Sequence, residues 1–287
     1  MRDDFAVFIL THGRPRKQRS LNTLLRDGYT GRYYLVVDNL DTTLFEYQQL
    51  YGDKVLVFDK NEYVQKTETA LSPPLTKFVV FARNAAEDFA RELNCKFFGL
   101  FDDDLIHFRH RYLDNGRLKS AEICNADEVI ESILEYMEQA SISTTSFGIA
   151  SQYIGGSLNK RIYTPNDPYL RMCFNAYFRN AKFEVNWQPN IQEDRITSIY
   201  YGRAGQIWLQ LLQIELDSAP LYGKTSGGSS DVYNSVSRFL PVFFSTVYFP
   251  DTHVVNCYHG QFTPKINKRD YICGKIVSDR YKKDANI

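Results

Sequence analysis

The segment KFFGLFDDD, residues 96–104, joins an apolar run directly to three consecutive aspartates. An uninterrupted run of aromatic and aliphatic residues is typical of a strand that is buried on both faces, as in a parallel sheet. In open parallel sheets the ligand binds beyond the carboxyl ends of the strands. The segment therefore predicts a buried strand that ends at a functional position.

The chain before this segment alternates apolar runs with amphipathic stretches. Strands are predicted at 5–10, 33–39 and 54–60, and helices at 20–28, 41–52 and 76–94. Gly28 and Gly52 are placed at helix ends, and Asp41 is placed as a helix N-cap. This alternation favours a parallel, doubly wound sheet. Asp38 and Asp59 end their strands as the aspartate triplet ends the fourth.

The second half of the chain is less regular. A helix is predicted at 125–140, a strand at 147–154, sheet at 169–187, a helix followed by a strand within 192–216, and a Ser/Gly-rich loop leading into a helix at 225–239. Neither an internal repeat nor a clear linker interrupts the sequence. A single domain is therefore expected.

Composition limits the classes of function. The 287 residues carry a formal net charge of zero, so contact with nucleic acid would rely on local patches. The five cysteines have no CxxC spacing, which argues against a disulfide framework or zinc site and fits a reducing compartment. The apolar run at 5–10 is too short for a signal sequence or a membrane span. We expect a cytoplasmic protein without a membrane partner.

Asp102 and Asp104 form a DxD pattern. In an extended chain, residues two apart point to the same side, and two carboxylates there would repel each other in a partly buried site. A divalent cation removes that repulsion, and oxygen ligands suit Mg²⁺ or Mn²⁺, which also bind substrate phosphates. A solvated acidic turn after a strand is the alternative. Both interpretations stay open on the residues alone.

A second acidic pair, Glu193 and Asp194, lies in NIQEDRITS (190–198). A carboxylate there could take a proton from an acceptor hydroxyl as general base. Alternatively, the pair is exposed at a helix N-terminus, where the helix dipole favours it. A late histidine, His253 or His259, could complete a metal shell, or either could be an ordinary polar residue.

Six short segments together carry a family resemblance: FILTHGRP (8–15), LVVDN (35–39), VFDK (57–60), FARN (81–84), FDDD (101–104) and QED (192–194). With them the chain resembles GT-A-type nucleotide-sugar glycosyltransferases. More narrowly, it resembles the TET/JBP-associated group proposed to glucosylate hydroxymethylated bases in phage and kinetoplastid DNA. The segments span about two thirds of the chain.

The resemblance implies an α/β, GT-A-like fold, with a mainly parallel Rossmann-like sheet flanked by helices and a more irregular C-terminal acceptor half. It implies one domain over 1–287, in which 1–108 bind the nucleotide-sugar and 109–287 bind the acceptor.

The resemblance also implies a nucleotide site. Thr11, His12 and Arg14 would hold the nucleotide, and Asp38 would bond the uracil or ribose. The family usually has an acidic residue after VVD, whereas this chain has Asn39.

Four further residues would complete the donor site by the same resemblance. Lys60 and Arg83 would face the phosphates or ribose, and Asn84 would help to position the sugar. Asp102 would engage both the ribose and the metal.

For the metal and the acceptor, the resemblance implies a second set of roles. Asp102 and Asp104 would bind Mn²⁺ or Mg²⁺, with His259, or failing it His253, as a further ligand. Asp194 would be the acceptor base, and Glu193 would orient the acceptor or the sugar. A base opposite the leaving group gives inversion; without a path from Asp194 to the acceptor, a retaining mechanism is plausible.

The activity that the resemblance implies is transfer from a UDP-sugar to the hydroxymethyl group of a modified pyrimidine in DNA, in the host cytoplasm if the protein is phage-encoded. Segments 109–119, 158–163 and the basic tail from Lys265 are candidate DNA contacts, or they merely solvate the surface. The segment 225–234 is a candidate flap or a plain loop. Other hypotheses are the same donor chemistry on a glycan, protein or small molecule, and a non-catalytic interaction module.

Overall fold

A computed structural model describes residues 1–70, 78–115, 117–149, 175–218, 239–258 and 261–266. Strands within these ranges are β1 (Phe5–Leu10), β2 (Arg32–Asp38), β3 (Val55–Phe58), β4 (Phe97–Asp102), β5 (Leu105–Asp114), β6 (Arg117–Glu122), β7 (Ile142–Ile149), β8 (Ala176–Asn180), β9 (Ile207–Ser218), β10 (His253–Tyr258) and β11 (Gln261–Ile266).

Helices in the same ranges are α1 (Arg19–Arg26), α2 (Leu44–Tyr51), α3 (Lys60–Lys66), α4 (Val80–Glu92), α5 (Ala126–Gln139), α6 (Glu193–Arg203) and α7 (Phe239–Tyr248). None of the helices in the described ranges combines the length and apolarity of a membrane span.

One large sheet organises the described residues, in the order β3-β2-β1-β4-β8-β7-β9-β5-β6. Strands β3, β2, β1 and β4 are parallel. Strand β8 then pairs antiparallel with both β4 and β7, so the sheet as a whole is mixed. The carboxyl ends of the four parallel strands meet at one edge, which brings Thr11, Asp38, Asp59 and Asp102 to the same side of the fold.

The core explains why the first strands are continuous apolar runs. On β1, Phe5, Val7 and Ile9 pack into one hydrophobic layer with α1 and α5. The alternate residues of β1 pack into a second layer with α4. Because both faces of the strand are buried, neither face needs polar residues.

The predicted α/β fold is confirmed, with strands β1 to β4, helices α1, α2, α4 and α5, and the α6–β9 pair at or near their expected places. Gly28 follows α1 with φ +90°, and a Cβ there would lie 2.9 Å from the carbonyl oxygen of Cys124. A glycine is therefore required where the sequence predicts the end of the helix.

Several boundaries differ from the predictions. Strand β3 ends at Phe58, because Asp59 caps the unpredicted helix α3 by accepting a hydrogen bond from the Asn61 amide at 2.9 Å. Helix α2 begins at Leu44 rather than at residue 41. Within the predicted sheet at 169–187, only Ala176–Asn180 is a strand among the residues described there.

Strands β5 and β6 also escaped prediction. Their charged residues are neutralised by residues distant in sequence: Arg111 pairs with Glu215 of β9 at 2.6 Å, and Arg109 pairs with Glu122 of β6 at 2.7 Å. These ion pairs let charged side chains occupy a strand, so the hydrophobic pattern of a strand is not visible in this stretch.

Candidate active site

The three aspartates after β4 have different surroundings. Asp103 is buried and faces the loop after β1, where its carboxylate accepts hydrogen bonds from Thr11 Oγ1 at 2.8 Å and Arg14 Nη1 at 2.7 Å. Asp104 Oδ1 is buried without a hydrogen-bond partner among the described residues. The middle aspartate therefore shapes the loop, while Asp104 keeps acceptor capacity for something else.

Burial raises the pKa of all three carboxyl groups, and that of Asp102 to about 8. Arg83 opposes the shift at Asp102, and repulsion from Asp104 adds to it. A crowded set of oxygen donors with uncompensated charge is the chemistry that a divalent cation such as Mg²⁺ or Mn²⁺ accommodates.

The metal set predicted from the sequence is only partly within the described residues. His259 lies outside them. His253 is buried on β10, with its ring centroid 6.0 Å from that of Phe249, and burial lowers its pKa to about 4. Over the described ranges no cluster of three His, Cys, Asp or Glu side chains has the arrangement of a metal site. Asp102 and Asp104 remain the candidate ligands at the end of β4.

The loop after β1 is held against the ends of β2 and α2. Gly13, with φ +68°, donates its amide to Asp41 Oδ2 at 2.7 Å, and Tyr47 Oη accepts the amide of Arg14 at 2.9 Å. The Thr11 and Tyr47 hydroxyls lie 2.7 Å apart. Sequence reasoning missed Tyr47 and the loop contact of Asp41, because only the fold brings α2 to this loop.

Asp38, at the end of β2, joins two of the predicted donor residues. Its Oδ2 lies 2.8 Å from His12 Nδ1 and 3.2 Å from Lys60 Nζ. Burial disfavours the ionised Asp38, but His12 and Lys60 outweigh it and hold its pKa below the usual range. The hydrogen bond to Asp38 in turn raises the pKa of His12. These three residues, placed 22 to 48 positions apart in the chain, form one polar cluster at the sheet edge.

A buried guanidinium joins the two acidic segments of the sequence. Arg83 on α4 donates from Nη1 to Glu193 Oε1 at 2.7 Å, and both side chains are largely buried. Its charge also acts on Asp102 and Asp194. Burial raises the pKa of Glu193 to about 7, against the pull of Arg83. The aspartates after β4 and the start of α6 therefore share one electrostatic environment.

Asn84, the neighbour of Arg83, contacts the protein backbone. Its amide exchanges hydrogen bonds with the backbone N–H and carbonyl of Trp187, at 2.8 and 3.1 Å. Trp187 also lies under the guanidinium of Arg83, 5.2 Å from the ring centroid. The sequence offers no sign of this contact, since Trp187 is about a hundred residues away.

Comparison with known proteins identifies the family. Residues 5–218 match the model of the TET-Associated Glycosyltransferase family. The chain belongs to this family. It is therefore a glycosyltransferase, as the resemblance predicted. No curated protein matches the chain.

Solved structures support the fold of this glycosyltransferase. A mannosyltransferase from Pyrobaculum calidifontis is 9% identical over 86% of this chain and 65% of its own, with a TM-score of 0.53. Glucosyl-3-phosphoglycerate synthase from Mycobacterium tuberculosis is 11% identical over 95% and 88%, with a TM-score of 0.45. TarS from S. aureus is 12% identical over 83% and 65%, with a TM-score of 0.41.

Proposed function

We propose that this glycosyltransferase moves a sugar from a UDP-sugar to the hydroxymethyl group of a modified pyrimidine in DNA, with inversion at the anomeric carbon and with Mn²⁺ or Mg²⁺. The observation that carries the proposal is the shared environment of Asp102, Arg83 and Glu193, next to the Thr11–Arg14 loop. It combines candidate metal ligands with a second acidic pair suited to proton transfer.

The donor half of the proposal rests on the polar residues at the strand ends. His12, Asp38 and Lys60 supply donors and acceptors for a nucleoside, and Arg14 supplies a cation beside the aspartates. A divalent cation bound by Asp102 and Asp104 would offset the charge of the leaving diphosphate. The mannosyltransferase of P. calidifontis was crystallised in complex with GDP-mannose and Mn²⁺. Uridine as the base of the donor follows from the family resemblance.

The acceptor half of the proposal rests on Asp194. Its carboxylate takes the proton of the acceptor hydroxyl while the oxygen forms a bond to the anomeric carbon. The bond between that carbon and the diphosphate oxygen breaks, and UDP leaves with the electron pair. Attack from the face opposite the diphosphate inverts the configuration. Glu193, fixed by Arg83, lies beside the base and is suited to orient the acceptor or the sugar.

DNA as the acceptor is supported by the family, whose name associates it with TET. Within the described residues, the hairpin of β5 and β6 presents exposed His110, Tyr112 and Lys119 at one edge of the sheet. Such side chains suit stacking on bases and contact with phosphates. A base would have to leave the duplex to enter the site.

Transfer assays test the proposal. The protein, Mn²⁺ and a panel of UDP-sugars are incubated with hydroxymethylated DNA, and nucleoside masses are measured after digestion. A mass increase of one sugar on the hydroxymethylpyrimidine is expected, and its affinity for DNA should fall steeply with added salt. Transfer to a small or protein acceptor instead, with little dependence on salt, would contradict the DNA proposal.

Asp194→Asn tests the mechanism. We expect kcat to fall by roughly 100-fold or more, since general-base catalysis contributes about that factor, while the affinity for UDP-sugar stays nearly unchanged. Asp53→Asn, on an exposed turn far along the chain from the acidic pair, is the matched control and should transfer normally. Weaker donor binding with unchanged chemistry would contradict the base role.

A further inference from the structure

Helix α4 is connected to the first turn of α6 by two separate links. The direct link is the ion pair of Arg83 and Glu193, at 2.7 Å. The second link runs from Asn84 through the backbone of Trp187 and Gln188 to Thr197 on α6. The two links begin at adjacent residues of α4 and end on either side of Asp194.

The first contact of the second link occupies Asn84. Its Oδ1 accepts the Trp187 amide at 2.8 Å, and its Nδ2 donates to the Trp187 carbonyl at 3.1 Å. The side chain is buried, with 9% of the residue exposed. Both functional groups of the amide are thus committed to one backbone residue. Asn84 is consequently placed to fix this segment rather than to bind a sugar.

The next contact ties the same segment to α6. Gln188 donates its backbone N–H to Thr197 Oγ1 at 3.0 Å, and the Thr197 hydroxyl donates to the Gln188 carbonyl at 2.9 Å. Thr197 is buried and lies three residues after Asp194, which is about one turn of the helix. Any displacement of residues 187–188 is therefore transmitted to the turn that carries Asp194.

The indole of Trp187 fixes the segment on its other side. Its Nε1 donates to Glu87 Oε1 at 3.1 Å, and Glu87 accepts from the buried Arg179 Nε at 2.8 Å. The ring packs against Trp208, with centroids 5.7 Å apart. Asn84 and Glu87 thus hold the backbone and the side chain of Trp187 from one face of α4.

We propose that Asn84 is a positioning residue for the acceptor base, acting on Asp194 through Trp187, Gln188 and Thr197. This inference rests on the proposed function, in which Asp194 is the base. Catalytic efficiency depends steeply on the placement of such a group, so loosening the link should reduce turnover without weakening donor binding. A direct contact of Asn84 with the sugar would have the opposite signature.

A double-mutant cycle tests the proposal. In the full-length chain, we expect Asn84→Ala to lower kcat by about 10- to 100-fold and to leave the affinity for UDP-sugar, titrated with Mn²⁺, within about two-fold. In the Asp194→Asn background the same substitution should change kcat by less than about two-fold, because the group that it positions is already lost.

Control variants separate positioning from folding. Asn186→Ala makes the same substitution one residue before Trp187, where the side chain is exposed, and should leave kcat unchanged. If Asn84→Ala fails to fold by circular dichroism, Trp187→Phe removes the hydrogen bond to Glu87 while keeping a ring, and the same non-additivity is expected.

Equal losses of kcat in both backgrounds, or weaker donor binding in Asn84→Ala, would overturn the positioning role alone. Normal turnover in Asp194→Asn would remove the base itself, and this proposal with it. The failure of the inference and the failure of the proposed function are therefore distinguishable.

Discussion

Replacing Asp102 by asparagine is expected to stabilise the metal-free protein at neutral pH. The usual pKa of this carboxyl, 3.8, rises to about 8 in the fold, because burial disfavours the ionised form more than Arg83 favours it. Between these values the folded state holds a proton that the unfolded chain releases. The stability that Asp102 contributes is therefore fully present below pH 3.8 and is lost as the pH rises through about 8.

The size of the effect follows from the two pKa values. Each pH unit between them lowers the free energy of unfolding by at most about 1.4 kcal/mol, which gives an upper limit of roughly 4 kcal/mol at pH 7. Asp102 retains partial exposure, and water screens its charge. We therefore expect Asp102→Asn to raise the free energy of unfolding by about 2–3 kcal/mol at pH 7.

Urea denaturation in the presence of EDTA measures this difference. The gap between variant and wild type should widen from about pH 5 to about pH 8. Addition of Mn²⁺ and UDP should then stabilise the wild type and not the variant, because the carboxylate that costs stability in the metal-free protein is a ligand in the proposed complex. A variant less stable than wild type at pH 7 in EDTA, or a gap independent of pH, would refute the reasoning.

Two further predictions concern the fold. The buried His253 has its pKa lowered to about 4, so the unfolded chain is protonated first as the pH falls; urea titrations should show that His253→Phe removes about 2 kcal/mol of destabilisation between pH 7 and pH 5, and an unchanged slope would contradict this. Gly28→Ala should lower the thermal midpoint more than Gly205→Ala, because the φ angles are +90° and +93° but only at Gly28 would a Cβ meet a backbone carbonyl, at 2.9 Å; equal losses would exclude the clash as the cause.

The candidate donor site was largely foreseeable, because its residues lie at the ends of apolar runs. Parallel strands that alternate with helices place their carboxyl ends at one edge, so Thr11, Asp38 and Asp102 had to lie near each other once the alternation was recognised. The role of Asp103 could not be foreseen in the same way. Three adjacent carboxylates look alike in a sequence, and only contact with Thr11 and Arg14 distinguishes the middle one.

By itself, the sequence determined the α/β architecture, the strand-end carboxylates and the family, because hydrophobic periodicity and short motifs are local properties of the chain. Tertiary structure alone decided which distant groups meet. Arg83 reaches Glu193, and Asn84 reaches Trp187, across about a hundred residues each. Such pairs depend on how helices pack across a shared core, and no local pattern of residues encodes that packing.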